Sequence, residues 1–339
     1  MMDVTTGGID LAKNLFQLHG VDERGRVVLS RRVKRSQLAE AVASLPPCVI
    51  GMEACASAHH WGRAFEKFGH TVKLMSPKYV KPYVKTNKND GRDAEAICEA
   101  VSRPTMRVVS IKTVEQADLQ ALHRTRSLLV KHRTAVINQI RGLLAEYGLV
   151  ITPSPEKVRP AVVRFLDDAA SGLTACARDT FAELYEQLRD LESRLARVTE
   201  RVERVFRAHP MCRKLAAVPG IGPLTATALL AAVGRPQTFR NGRHLAAGLG
   251  LVPRQYSSGG KEILGGLSKR GSRYVRTLLI HGARAVVHRA EGRSDPQGRW
   301  LWTLKCRKGT NVAAAALANK NARVVWALLA HDDVYRPSA

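Results

Sequence analysis

The chain has 339 residues, 45% of them hydrophobic and 24% charged, which fits a folded protein of two or three domains and excludes a disordered one. Its 54 Lys and Arg against 29 Asp and Glu leave a net charge of +25, a positive field that favours nucleic acid as partner. No run of about twenty apolar residues occurs, which argues against a membrane partner or span. The opening Met1-Met2-Asp3-Val4 lacks the basic-then-apolar layout of a secretory signal. The cysteines (Cys48, Cys55, Cys98, Cys176, Cys212 and Cys306) form no Cys-x-x-Cys pair, so a zinc site is not expected and a reducing, cytoplasmic setting is.

Residues 1–110 alternate between strand and helix patterns. Residues 4–10, 15–20 and 27–33 are short β-like runs, and Asp22-Glu23-Arg24-Gly25 supplies the turn between the last two. A helix is expected over 36–44 with Ser36 as its cap, then a strand over 49–53 and a helix over 57–68. A fifth strand over 71–75 and a helix over 92–101 complete the order. Three hairpin-linked strands followed by α-β-α-β-α is the order of an RNase H-like sheet.

The middle reads as long helices. Leu119, Leu122, Leu129, Val136, Ile140, Leu143 and Tyr147 follow a three-four spacing, interrupted at Arg126 and Arg133. From Phe181 through Leu184, Leu188, Leu191, Leu195, Val198 and Val202 to Val205 the spacing has no gap, as in a coiled-coil seam. Thr152-Pro153-Ser154-Pro155 breaks the run. The seam fits either a hairpin within one chain or an arm that joins two chains. Beyond about Ala208 the chain is helical, glycine-punctuated and basic. Residues 235–310 hold sixteen Lys and Arg against Glu262, Glu291 and Asp295, a net of +13, and this is the expected DNA-facing region.

Four carboxylates carry the strongest chemical signal. Asp10 ends the first strand and Glu53 the fourth, and those strands are neighbours in an RNase H-like sheet. Asp90 and Asp93 lie three apart at a helix start, so they share a face. Acids gathered in this way need a cation, and oxygen ligands select Mg²⁺ or Mn²⁺. Two such ions clamp the attacking and leaving oxygens of a phosphodiester. Taken singly each acid could be a surface charge, and Asp90 a helix cap.

A second signal runs from Leu251-Val252-Pro253-Arg254-Gln255-Tyr256-Ser257-Ser258-Gly259-Gly260-Lys261 into Gly265-Gly266-Leu267-Ser268-Lys269-Arg270-Gly271. Its glycines and cations suit a phosphate-binding loop. A serine there could also attack phosphorus, given a base or metal to activate it. Just upstream, Val218-Pro219-Gly220-Ile221-Gly222-Pro223-Leu224-Thr225-Ala226 matches the turn of a helix-hairpin-helix motif, whose backbone N–H groups meet DNA phosphates, or a plain helix–helix turn.

Over nearly its whole length the chain resembles the DEDD insertion-sequence transposases, the IS-one-ten family, and their eleven-eleven subgroup in particular. The motifs are Gly8-Ile9-Asp10-Leu11-Ala12-Lys13, Gly51-Met52-Glu53-Ala54-Cys55, Lys88-Asn89-Asp90-Gly91-Arg92-Asp93-Ala94-Glu95-Ala96, Pro219-Gly220-Ile221-Gly222, Tyr256-Ser257-Ser258-Gly259-Gly260 and Asn319-Lys320-Asn321-Ala322-Arg323. The resemblance implies an α/β plus α fold. It comprises a RuvC-like metal-dependent domain over 1–110, a helical coiled-coil segment over 111–207 and a mainly helical transposase domain over 208–339. It implies Asp10, Glu53, Asp90 and Asp93 as catalytic metal ligands and Ser258 as nucleophile, with Ser257 as rival. It further implies DNA strand cleavage and exchange through a phosphoserine, on donor and target DNA chosen by a noncoding bridge RNA. A homo-oligomer of two to four subunits, with the acids of one subunit completed by the serine of another, belongs to the same expectation. A RuvC-like hydrolytic nuclease and a non-catalytic nucleic-acid-binding scaffold are the competing readings.

Overall fold

The computed structural model describes residues 3–85 and 89–337, so Lys88 of the Lys88–Ala96 motif lies outside the described residues. The chain divides into two compact units, one of residues 1–115 with 233–240, the other of residues 116–232 with 241–339.

The first unit is built on a six-stranded sheet. Its strands are β1 (Thr6–Asp10), β2 (Leu15–Val21), β3 (Val27–Lys34), β4 (Val49–Glu53), β5 (Thr71–Met75) and β6 (Val108–Val109). Four helices accompany them: α1 (Leu38–Ala43), α2 (Ala58–Lys67), α3 (Pro77–Val80) and α4 (Asp90–Val101). The strand order is β3-β2-β1-β4-β5-β6. β1 to β3 form an antiparallel meander, while β1, β4 and β5 are parallel neighbours, as expected of an RNase H-like sheet. The short antiparallel edge strand β6 was not legible in the sequence; its two valines are exposed.

Period-two alternation sorts the two faces. Ile9, Phe16, Leu18 and Met52 pack with Leu38, Val42, Trp61 and Phe65 of α1 and α2. On the other face Met75 packs with Ile97, Ala100 and Val101 of α4. Ser36 does not cap a helix: it lies inside a short 3-10 turn, and α1 starts two residues later without a side-chain cap.

The second unit begins with three helices, α5 (Val114–Ala145), α6 (Val158–Asp167) and α7 (Ala175–Ala208), the first starting just before the boundary. The apolar stripe of α7 is covered from within the chain. Phe181, Leu188 and Leu191 share a core with Val136, Ile137, Ile140 and Leu144 of α5 and Val158, Val162 and Phe165 of α6. Farther along, Arg126 of α5 donates to the Thr199 hydroxyl of α7 at 3.0 Å. Helix α6, in the connection where the sequence shows only a proline break, is what closes this core.

There follow α8 (Pro210–Ala216), α9 (Pro223–Val233), α10 (Gly242–Gly248), the hairpin β7 (Pro253–Gln255) and β8 (Leu264–Leu267), then α11 (Arg273–His288), α12 (Pro296–Lys308) and α13 (Thr310–His331). Helix α13 is the hub. Small residues at Ala313, Ala314, Ala318 and Ala322 are fully buried, which lets neighbouring helices approach its axis closely. Among the described residues no helix is long and apolar enough to cross a membrane.

Candidate active site

Asp10 and Glu53 are the last residues of β1 and β4. Those strands run parallel side by side, with Ile9 opposite Met52, so the two acids end adjoining strands about 4.8 Å apart. Their direction follows from the glycines two positions earlier. A Cβ on Gly8 would meet Ala94 O of α4 at 2.3 Å, and one on Gly51 would meet the Val101 side chain at 2.8 Å. Gly8 and Gly51 therefore face α4, and alternation sends Asp10 and Glu53 to that same face. Both are half-buried.

Helix α4 runs back along β1. Its Cys98 thiol donates to Thr6 O, while Ala94 lies over Gly8, so the helix start continues toward Asp10. Asp90 and Asp93 occupy that first turn. The cap is Asn89, whose side-chain oxygen accepts from Arg92 N at 2.9 Å, so Asp90 does not serve as the cap. The other acids of α4 are taken up elsewhere: Glu95 pairs with Lys85 at 3.1 Å, and Glu99 with Arg103 at 2.8 Å.

The four acids thus share one face at one end of the sheet. They do not close into a ligand shell: among the described residues no three His, Cys, Asp or Glu side chains stand together well enough to hold a metal ion. Cys55 lies close by. Burial, then the charges of Glu53 and Asp10, push its thiol pKa up. Sequence reasoning missed the purpose of the paired glycines. The signal was there, as Gly-x-acid repeated at the ends of two strands.

The serines lie in the second unit. Gly259 and Gly260, at φ +53° and +77°, make the tip of the β7–β8 hairpin, the left-handed pair that a tight two-residue turn requires. Ser258 is paired with Lys261 across that tip, and Lys261 N donates to Ser258 O at 3.0 Å. What reads in sequence as a glycine-rich loop is therefore an exposed β-arm. The Ser257 hydroxyl accepts from Gln255 Nε2 at 3.0 Å, whereas the Ser258 hydroxyl has no hydrogen bond among the described residues.

The foot of the arm is clamped. Arg276 of α11, only 8% exposed, donates to Leu249 O at 3.1 Å and Arg270 O at 2.7 Å. Asn319 of α13 donates to Leu251 O at 3.0 Å. Arg276 is thus one of the sixteen cations of residues 235–310 that is buried and holds the protein together. Asn319 and Asn321 find their purpose the same way, Asn321 donating to Pro219 O at 2.8 Å.

The α8–α9 turn carries Gly220 at φ +88° and Gly222. A Cβ on Gly220 would lie 2.9 Å from Gly282 O, so this glycine serves packing, while Gly222 has open space around it.

Two family models match the chain. A DEDD transposase model covers residues 7–149, and a model described as the transposase IS116/IS110/IS902 family covers residues 212–297. A probable family 20 transposase of Pseudomonas aeruginosa is 48% identical, over 99% of this chain and 100% of its own length. The transposase for insertion sequence element IS1111A of Coxiella burnetii is 47% identical, over 100% of this chain and 93% of its own. The transposase for insertion sequence element IS1328 of Yersinia enterocolitica is 38% identical over 99% of both.

Proposed function

The chain belongs to the IS116/IS110/IS902 family of transposases, and from that premise we propose that it exchanges DNA strands through a covalent link to Ser258. The observation that carries the reading is the placement of Asp10, Glu53, Asp90 and Asp93 on one face at one sheet end, together with a serine beside the tip of an exposed arm.

The donor set is all carboxylate oxygen, which suits a hard divalent cation, Mg²⁺ or Mn²⁺. Asp10, Glu53, Asp90 and Asp93 would hold it on drawing closer together than they stand among the described residues. When bound, such an ion supplies Lewis-acid polarisation of a phosphate. The remaining work belongs to the chain. The Ser258 oxygen forms a bond to phosphorus as the bond from phosphorus to the 3′ oxygen breaks. The serine proton leaves with a base and the 3′ oxygen gains one, giving a 5′-phosphoserine and a free 3′-hydroxyl. The 3′-hydroxyl of the second DNA then attacks that phosphorus and releases Ser258. One phosphodiester is exchanged for another, so no outside energy source is required.

Choice of donor and target DNA by a noncoding bridge RNA, and a homo-oligomer whose subunits share the site, are supported by the family resemblance. The strongly basic balance of residues 235–310 supports a polyanionic partner.

The test is an incubation with Mg²⁺, the flanking RNA of its element and matching DNAs, scored for recombinant product and protein–DNA adducts. Adducts lost in Ser258→Ala and kept in Ser257→Ala support the assignment. Strand cleavage that survives both serine changes and needs the acids makes the protein a hydrolytic nuclease. Binding without cleavage, indifferent to Asp10→Ala, makes it a scaffold.

A further inference from the structure

Helix α12 carries Trp300 and Trp302, two of the four tryptophans of the chain. Its inward side is marked by the buried Gly298 and Leu301. At about 100° per residue, Trp300 and Trp302 fall on opposite borders of the outward arc. Arg299, Thr303, Cys306 and Arg307 are exposed between them.

The surroundings are cationic without relief. Residues 296–308 contain no acid. Asp295, just before the helix, is taken by the Gly298 N–H at 3.0 Å and the Arg293 guanidinium at 2.7 Å. Lys305 Nζ lies 4.6 Å from the Trp302 ring centre, and Lys320 of α13 lies 5.3 Å from that of Trp300. Trp300 is exposed and Trp302, Lys305 and Lys320 are half-buried, so each indole has an edge at the surface and an electron-rich face that attracts cations.

Helix electrostatics accounts for part of this. Lys305, Arg307 and Lys308 stand in the last turn, where cations complement the helix dipole. Arg299 stands near the other end, where a cation is disfavoured, and Trp300 leaves 38% of its surface open to solvent.

We infer that the outward arc of α12 binds an unpaired stretch of DNA, with bases stacked on Trp300 and Trp302 and phosphates held by Arg299, Arg307, Lys305 and Lys320. The strand is assigned as DNA because transposases act on DNA, and rejoining strands to new partners requires base pairs to open. An indole face engages a base only when that base is unstacked, and it does so without regard to sequence. Lys305 and Lys320 would leave the ring faces for the neighbouring phosphates as bases take their place. The proposal does not rest on the four acids or on Ser258.

The experiment measures binding of the full chain, by fluorescence anisotropy, to single-stranded DNA, duplex DNA and single-stranded RNA of one length and sequence at fixed salt. Trp300→Leu with Trp302→Leu is expected to weaken single-stranded DNA binding by about ten-fold or more while duplex binding holds. Trp300→Phe with Trp302→Phe, which keeps aromatic faces, retains most of the affinity. Arg299→Gln with Arg307→Gln changes exposed side chains and so spares folding; it lowers the salt dependence of single-strand binding. Equal losses on duplex and single strand, no loss in either tryptophan pair, or a tryptophan-dependent preference for RNA would each overturn the assignment.

Discussion

Gly220, in the turn between α8 and α9, packs directly against the backbone of Gly282 in α11: a Cβ on Gly282 would lie 1.8 Å from Gly220 O. A turn whose sequence suggests phosphate contact is thus tied at one of its two glycines to a neighbouring helix. Gly282→Ala forces backbone apart and is expected to lower stability by about 1–3 kcal/mol. Gly222→Ala, in open space, should leave the thermal unfolding midpoint nearly unchanged. Equal midpoints for the two variants would contradict the packing role.

Gly8 and Gly51 predict a separable loss of activity. Gly8→Ala places a methyl against the α4 backbone at Ala94 and Cys98 and pushes the helix start away from Asp10. Strand cleavage should fall further than stability does. Circular dichroism beside a cleavage assay measures both, and a variant that keeps cleavage while losing stability would sink this account.

The acids should act in chemistry and not in binding. Asp10→Asn and Glu53→Gln are expected to reduce strand cleavage by about a hundred-fold or more. DNA affinity measured without divalent metal should hold or rise, since each change removes a negative charge from a positive protein. An activity loss that follows DNA affinity would refute the catalytic role.

Arg276 predicts stability without DNA contact. Its Leu variant leaves the Leu249 and Arg270 carbonyls without their donor and removes charge-assisted bonds, a loss of about 2–4 kcal/mol. Arg254→Ala, on the exposed β7, should change stability by less than about 0.5 kcal/mol. Urea unfolding of both proteins checks the contrast.

His123 gives a pH dependence. Buried in α5, it stands 3.0 Å from both the Tyr274 hydroxyl and the Thr227 hydroxyl. Thr227 donates its proton to Pro223 O at 2.7 Å, so it accepts from His123 Nε2–H, and Nδ1 accepts from Tyr274. Burial, then the charge of Arg126, lower the His123 pKa from 6.5 to about 4. The unfolded chain therefore binds a proton that the folded chain refuses. Its contribution is present above about pH 6.5 and is lost as the pH falls toward 4, by about 3 kcal/mol at most. His123→Gln should flatten this acid limb of the stability curve, and an unchanged slope in the variant would remove His123 as its source.

Much was legible from residue order because it is written in short-range pattern. Alternation and turn residues placed β1 to β5, and heptad spacing placed the long α5 and α7. Their positions at the ends of two strand patterns marked Asp10 and Glu53, whereas the glycine two places before each showed its purpose only against α4. The start of α4 was harder to assign: Asp90 suits a cap in sequence, and only the bond from Arg92 N to the Asn89 side chain shows that Asn89 is the cap.

What pattern cannot state is which distant partner an atom meets. Arg276 and Arg299 look alike in a basic stretch, yet one is locked onto two carbonyls and the other lies exposed on α12. Gly220 and Gly222 look alike in a turn, and only the approach of α11 separates packing from open space. Charge, periodicity and chain-local turns are set by neighbours in sequence. Burial and hydrogen-bond pairing across a hundred residues exist only once the elements have packed, because desolvation acts on position in space.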